Sequence, residues 1–171
     1  MGQVEQYLRM MTEMRKKIHS SSEFKYCCFE EFVLKYGQEF KNYMPKPKWV
    51  KKGVIKECFS NCFKEATTHP DRLTYCEGYA LGVIPVHHAW LLYDDKVIDP
   101  TWDGRNIVKE HTEYFGIKFN FKYIMKVAIE TGYYGVLDNF AQKFPLLRGE
   151  HEPELFLDSC GEELVGRGYP T

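Results

Sequence analysis

The chain has 171 residues, with 23 lysines and arginines against 24 aspartates and glutamates, which gives a net charge of −1. This length suits one compact domain with a buried core, so we expect residues 1–171 to form a single domain. The balanced charge argues against a nucleic-acid-binding surface and against docking on an anionic membrane.

The N-terminal segment and the cysteine content predict a cytoplasmic protein. Residues 1–17 are charged and lack the apolar stretch of a secretory signal. No stretch approaches about 18 consecutive apolar residues, so we expect no transmembrane helix. The six cysteines are interpreted as reduced thiols rather than disulfides, because no secretory signal accompanies them.

The N-terminal part, residues 1–45, is predicted to be helical. Apolar residues recur at steps of three and four over 3–19, which predicts one amphipathic helix. A second helix is predicted over about 23–36, with Ser22 as its N-cap and Gly37 as its end. The prolines that follow predict an extended loop.

The middle of the chain, residues 49–125, is predicted to form the catalytic core. Helical spacing after Gly53 predicts a helix that contains Cys58. Strands are predicted over four segments, namely 73–81, 86–93, 96–99 and 114–121. The C-terminal part, 126–171, is predicted to complete a helix over about 123–130, ended by Gly132, and to finish in a loose tail over 166–171. Helices followed by strands predict an α+β fold with an antiparallel sheet.

Two of these strands are predicted to form a tight β-hairpin with Asp94-Asp95 as its two-residue turn. This register pairs Trp90 with Asp99 and His88 with Thr101. Since side chains alternate between the faces of a strand, these four residues share one face. His88 and Asp99 become diagonal neighbours about 7 Å apart, within reach for a carboxylate and an imidazole N–H.

The same register separates the two adjacent histidines, because His87 points to the opposite face. A shift of one residue in the turn would reverse the choice between them. The predicted helix start favours Cys58 as the partner thiol, since a cysteine reacts as its thiolate and a helix N-terminus stabilises negative charge. Cys62 lies one turn further along the same face and is the alternative nucleophile.

These residues resemble the transglutaminase-like cysteine enzymes, which belong to the papain-like group. The resemblance covers about 53–103 and rests on the order of three motifs, Cys58-Phe59-Ser60-Asn61, His88-Ala89-Trp90 and Asp99-Pro100-Thr101-Trp102. The first motif, and also Tyr75-Cys76-Glu77-Gly78-Tyr79, is similar to segments of small microbial and phage members. The resemblance implies a papain-like core in which the helix of the nucleophile packs on an antiparallel sheet. Phe59 stands where many transglutaminases have tryptophan.

The resemblance implies thiol-dependent acyl transfer with Cys58 as nucleophile, His88 as base and Asp99 as the group that orients the base. The reaction would be that of an amide hydrolase, peptidase, deamidase or transglutaminase, with no cofactor and no metal. The expected partner is a protein, a peptide or a small amide, with no nucleic acid and no membrane.

Four further residues are candidates for supporting roles, namely Asn61, Glu77, Trp90 and Trp102. Asn61 is interpreted as a helix-surface amide in preference to a side chain that holds a loop. Glu77 is left open between a group that polarises the site and a strand residue facing water. The two tryptophans are interpreted as packing around the site rather than as participants.

Two alternative functions use the same residues. The chain could be a catalytically inactive member of the superfamily that binds a peptide or a small ligand in an aromatic-rich cleft. Zinc could in principle be bound by side chains drawn from Cys58, Cys62, Cys76, His87 and His88. The zinc hypothesis is disfavoured because the chain has no Cys-x-x-Cys motif and because the two histidines point to opposite faces.

Overall fold

A computed structural model describes residues 1–18, 23–105 and 112–158. In these residues the helices are α1 (Gln3–Ile18), α2 (Phe29–Tyr36), α3 (Cys58–Thr68), α4 (Phe121–Thr131), α5 (Pro145–Arg148) and α6 (Pro153–Phe156). The strands are β1 (Gln38–Phe40), β2 (Thr74–Leu81), β3 (Pro85–Tyr93), β4 (Lys96–Ile98) and β5 (Tyr114–Lys118). The predicted α+β class is therefore confirmed.

The five strands form one sheet in the order β1-β5-β2-β3-β4, and every neighbouring pair is antiparallel. Helix α3 packs on β3 and β2. Alternation along β3 divides its side chains between two apolar clusters: Ala89 and Leu91 join the larger cluster, which includes the helices, whereas Trp90 and Leu92 join a smaller one. The predicted antiparallel sheet is confirmed.

The second helix begins at Phe29, about six residues later than predicted, and it ends at Tyr36 as predicted. The backbone N–H groups ahead of it have other partners. That of Tyr26 donates to the carbonyl of Leu147 at 3.1 Å, and that of Cys27 donates to the Glu31 carboxylate at 2.7 Å. These tertiary and capping contacts replace a first helical turn. The predicted cap, residue 22, lies outside the described residues.

The sheet is extended by β1, which was not predicted, and β5 ends three residues earlier than predicted. β1 is only three residues long and pairs with the distant β5, so its own sequence carries little signal. β5 ends because Asn120 caps α4, its side chain accepting from the N–H of Lys122 at 2.9 Å. Helix α4 ends at Gly132, which has φ +69°, as predicted.

The C-terminal part contains two short helices, α5 and α6, that were not predicted, and the predicted tail lies outside the described residues. The five cysteines within the described ranges are free thiols. Among the described helices, none is both long enough and apolar enough to cross a membrane.

Candidate active site

The β3–β4 hairpin has the predicted turn and the predicted register. Tyr93 pairs with Lys96, and both turn residues adopt left-handed backbone conformations, with φ 48° at Asp94 and 58° at Asp95. The ladder itself ends at Ile98, one residue earlier than predicted. The predicted Trp90–Asp99 and His88–Thr101 ladder pairs are therefore absent from the described sheet, because the chain turns at Asp99.

The turn at Asp99 is held by the carboxylate of this residue. Its Oδ1 accepts from the backbone N–H groups of Thr101 and Trp102, both at 2.9 Å. Its Oδ2 lies 2.7 Å from Nε2 of His88 and accepts from the hydroxyl of Tyr114 at 3.1 Å. Four partners thus fix a carboxylate that is completely buried. The predicted approach of Asp99 to His88 is observed.

The imidazole of His88 is buried and held on two sides. The indole of Trp102 stacks on it, with ring centroids 4.0 Å apart and an interplanar angle of 18°. Burial alone would lower the pKa of His88, but the charge and hydrogen bond of Asp99 and the interaction with Cys58 outweigh it and raise the pKa to about 9. With Nε2 directed at Asp99, Nδ1 is the nitrogen left for the thiol.

Cys58 is the first residue of α3, as the helix-start argument requires. The predicted helix was longer, but Ile55 lies in the preceding turn and Lys56 has a left-handed φ of 67°. Glu57 occupies the N-cap position, and its side chain makes no capping hydrogen bond. The side chain of Glu57 therefore leaves the backbone N–H groups of the first turn open. These groups are suited to stabilise negative charge next to Cys58.

Cys62 and Cys76 are buried more deeply than Cys58, of which 7% is exposed. Both thiols are fully buried, and burial raises the pKa of each well above its usual value. The negative charge of Asp99 raises the pKa of Cys62 further. These two side chains therefore remain neutral thiols packed in the core, which favours Cys58 over Cys62 as the reactive residue.

Asn61 connects the two segments that border the site, so its interpretation as a surface amide was wrong. Only 9% of the residue is exposed. Its amide exchanges two hydrogen bonds with the backbone of Val54, at 2.7 and 3.0 Å, and donates to the hydroxyl of Thr101 at 2.9 Å. It ties the loop before Cys58 to the segment that follows Asp99.

Glu77 is completely buried, so the water-facing interpretation of this residue was wrong. Its carboxylate accepts from the backbone N–H groups of Val136 and Leu137 at 2.8 and 3.0 Å and from the hydroxyl of Tyr75 at 3.0 Å. It also lies 2.9 Å from Nε2 of His87. His87 and His88 thus contact different carboxylates on opposite faces of β3, as the register predicts.

Glu77 anchors a loop, residues 133–137, that sequence reasoning did not connect with the site. Tyr134 of this loop packs against Phe63 of α3, with ring centroids 4.8 Å apart. The pKa of Tyr133 is raised by burial and by the nearby carboxylates of Asp138 and Glu77. The loop therefore lies beside the first turns of α3. Nothing in its own sequence indicates this contact, which is made across the fold.

The two candidate tryptophans differ in position. Trp90 is fully buried and packs edge-on against Phe40, with ring centroids 5.5 Å apart, and at a tilt against Tyr114, with ring centroids 5.1 Å apart. Gly116 leaves room for it, because a Cβ there would come within 2.5 Å of the indole. Trp102 instead covers the ring of His88. The packing interpretation therefore fits both, but only Trp102 touches the proposed base.

Within the described ranges, no three or more His, Cys, Asp or Glu side chains are grouped so that they could hold a metal ion. The residues considered for zinc are accordingly not gathered into one ligand set. Comparison of the chain with protein family models, curated proteins and solved structures finds no match. The function is therefore inferred from the geometry around Cys58.

Proposed function

We propose that the protein is a thiol-dependent acyl-transfer enzyme with a transglutaminase-like, papain-like core. Cys58 is the nucleophile, His88 the base and Asp99 the group that orients the base. One observation carries the proposal: a cysteine that opens a helix interacts with a buried histidine whose other nitrogen lies 2.7 Å from a fixed carboxylate. A structural histidine and a structural cysteine do not require this combination.

In the proposed first step, the thiolate of Cys58 attacks the carbonyl carbon of an amide. The backbone N–H groups at the start of α3 stabilise the oxyanion that forms. The imidazolium of His88 then gives its proton to the amide nitrogen, the C–N bond breaks and the amine leaves. The acyl group remains bound to Cys58 as a thioester.

In the second step, His88 is neutral and accepts a proton from water or from a second amine as that nucleophile attacks the thioester. The tetrahedral intermediate collapses, the C–S bond breaks and Cys58 leaves as the thiolate next to the regenerated imidazolium. With water the net reaction is hydrolysis of a peptide or small amide, or deamidation; with an amine it is transamidation. Asp99 keeps Nδ1 of His88 directed at the reacting atoms throughout.

The Cys58→Ala variant tests the proposal. We expect iodoacetamide at pH 6 to alkylate Cys58 faster than free cysteine, and we expect the variant to remain folded while losing this labelling and all amide turnover. Cys27→Ala is the matched control and should label normally, because Cys27 is half-buried and its pKa is raised to about 12, chiefly by burial and by Glu31.

Two results would contradict the proposal. Equal labelling of Cys58→Ala and the parent protein would show that another cysteine reacts. A Cys58 that reacts no faster than free cysteine at pH 6 would favour the inactive binding module instead.

A further inference from the structure

The segment that leads to Cys58 is strongly basic in a chain of nearly neutral charge. Residues 41–56 contain no aspartate or glutamate and six lysines, namely Lys41, Lys46, Lys48, Lys51, Lys52 and Lys56. Three of these, at positions 51, 52 and 56, are exposed and form no ion pair with any residue that the structure describes. We call residues 51–56 the basic loop.

The basic loop is exposed but fixed at its centre. The backbone N–H of Gly53 donates to the carbonyl of Pro100 at 2.7 Å, and its carbonyl accepts from Arg105 at 2.9 Å. The next residue, Val54, exchanges two hydrogen bonds with Asn61. Both anchors adjoin the site, since Pro100 follows Asp99 and Asn61 lies one turn after Cys58. The loop thus has a defined position at the edge of the proposed site.

The basic loop also exposes apolar side chains between its lysines. Val54 is 58% exposed and Ile55 is 56% exposed. A fixed loop that displays branched apolar groups together with exposed lysines is suited to contact a partner. Apolar contacts and positive charge together match an acidic polypeptide better than a single-stranded nucleic acid, because nucleic-acid sites of that kind combine basic side chains with stacking aromatic residues, and residues 51–56 contain no aromatic residue.

We propose that the basic loop docks an acidic stretch of a polypeptide substrate next to the amide that Cys58 attacks. This inference rests on the proposed function and names the substrate class for the same site. Three cations at the edge of a site attract an anionic segment and hold it there, which raises the rate of encounter and favours anionic over neutral reactants.

The experiment compares alkylation of Cys58 by iodoacetate, which is anionic, and by iodoacetamide, which is neutral, followed by peptide mass spectrometry. The variant is Lys51→Gln/Lys52→Gln/Lys56→Gln. The control, Lys17→Gln/Lys122→Gln/Lys126→Gln, removes the same number of exposed charges from α1 and α4. We expect the iodoacetate-to-iodoacetamide rate ratio to fall about fivefold in the variant at low salt and to stay unchanged in the control.

A second measurement in the same proteins tests the polypeptide part of the inference. Poly-L-glutamate should slow iodoacetamide alkylation of Cys58 in the parent protein and in the control but not in the loop variant, and poly-L-lysine should have no effect. An unchanged rate ratio in the folded loop variant would overturn the inference and leave the proposed function intact. Equal protection by a DNA oligonucleotide would overturn the polypeptide assignment. A Cys58 that resists both reagents would contradict the proposed function itself and this inference with it.

Discussion

The His88→Gln variant is expected to lose at least about two orders of magnitude in the rate at which iodoacetamide alkylates Cys58 at pH 6. Glutamine can still donate a hydrogen bond to Asp99, but it carries no charge to stabilise a thiolate. A cysteine with an ordinary pKa near 8.5 is less than about 1% ionised at pH 6, whereas a cysteine paired with an imidazolium is largely in its thiolate form. Thermal unfolding would verify that the variant is folded.

The neighbouring histidine provides the matched control for this experiment. His87 lies on the opposite face of β3 and contacts Glu77, not Asp99. His87→Gln should therefore change the alkylation rate of Cys58 by no more than a few-fold. If His87→Gln abolished the reactivity and His88→Gln preserved it, the assignment of the base would be wrong.

The Glu77→Gln variant is expected to lower the free energy of unfolding by about 2–4 kcal/mol. The carboxylate of Glu77 accepts from two backbone N–H groups of the loop 133–137, from Tyr75 and from His87 at the same time. An amide presents an NH₂ group where one oxygen stood, so at least one buried donor would face another donor. Urea unfolding at pH 7 measures the difference.

The control for this stability experiment is Glu13→Gln, which replaces an exposed carboxylate on α1. We expect a change within about 0.5 kcal/mol there, as at most surface positions. A Glu77→Gln protein as stable as this control would show that Glu77 does not anchor the loop 133–137, and the loop would then lack a fixed position beside α3.

The parts of the site that could be predicted from the sequence are those determined by local structure. The Asp94-Asp95 turn fixes the hairpin register, and the alternation of side chains along β3 then separates His87 from His88. The position of Cys58 near a helix start follows from the helical spacing of apolar residues and from the glycine ahead of them. Each of these inferences uses residues that are close together in the chain.

The remaining parts depend on contacts between distant segments, which periodicity does not reveal. Tyr114 reaches Asp99 only because β5 pairs with β2, an arrangement that brings together strands separated by the whole hairpin. Glu77 is buried because the loop 133–137 supplies its donors. The late start of α2 has a similar cause, since the carbonyl of Leu147 accepts a hydrogen bond from the backbone N–H of Tyr26.

The most direct test of the proposed triad is the pH dependence of the alkylation rate of Cys58. His88 has a pKa raised to about 9, so its imidazolium persists from acid to mildly alkaline pH and stabilises the thiolate over that range. We predict that Cys58 is already alkylated faster than free cysteine at pH 6 and that its alkylation rate then changes little up to about pH 9. Above that pH, amide turnover should fall because the leaving amine loses its proton donor. A single rise in the alkylation rate with its midpoint near pH 8.5 would contradict the Cys58–His88–Asp99 assignment.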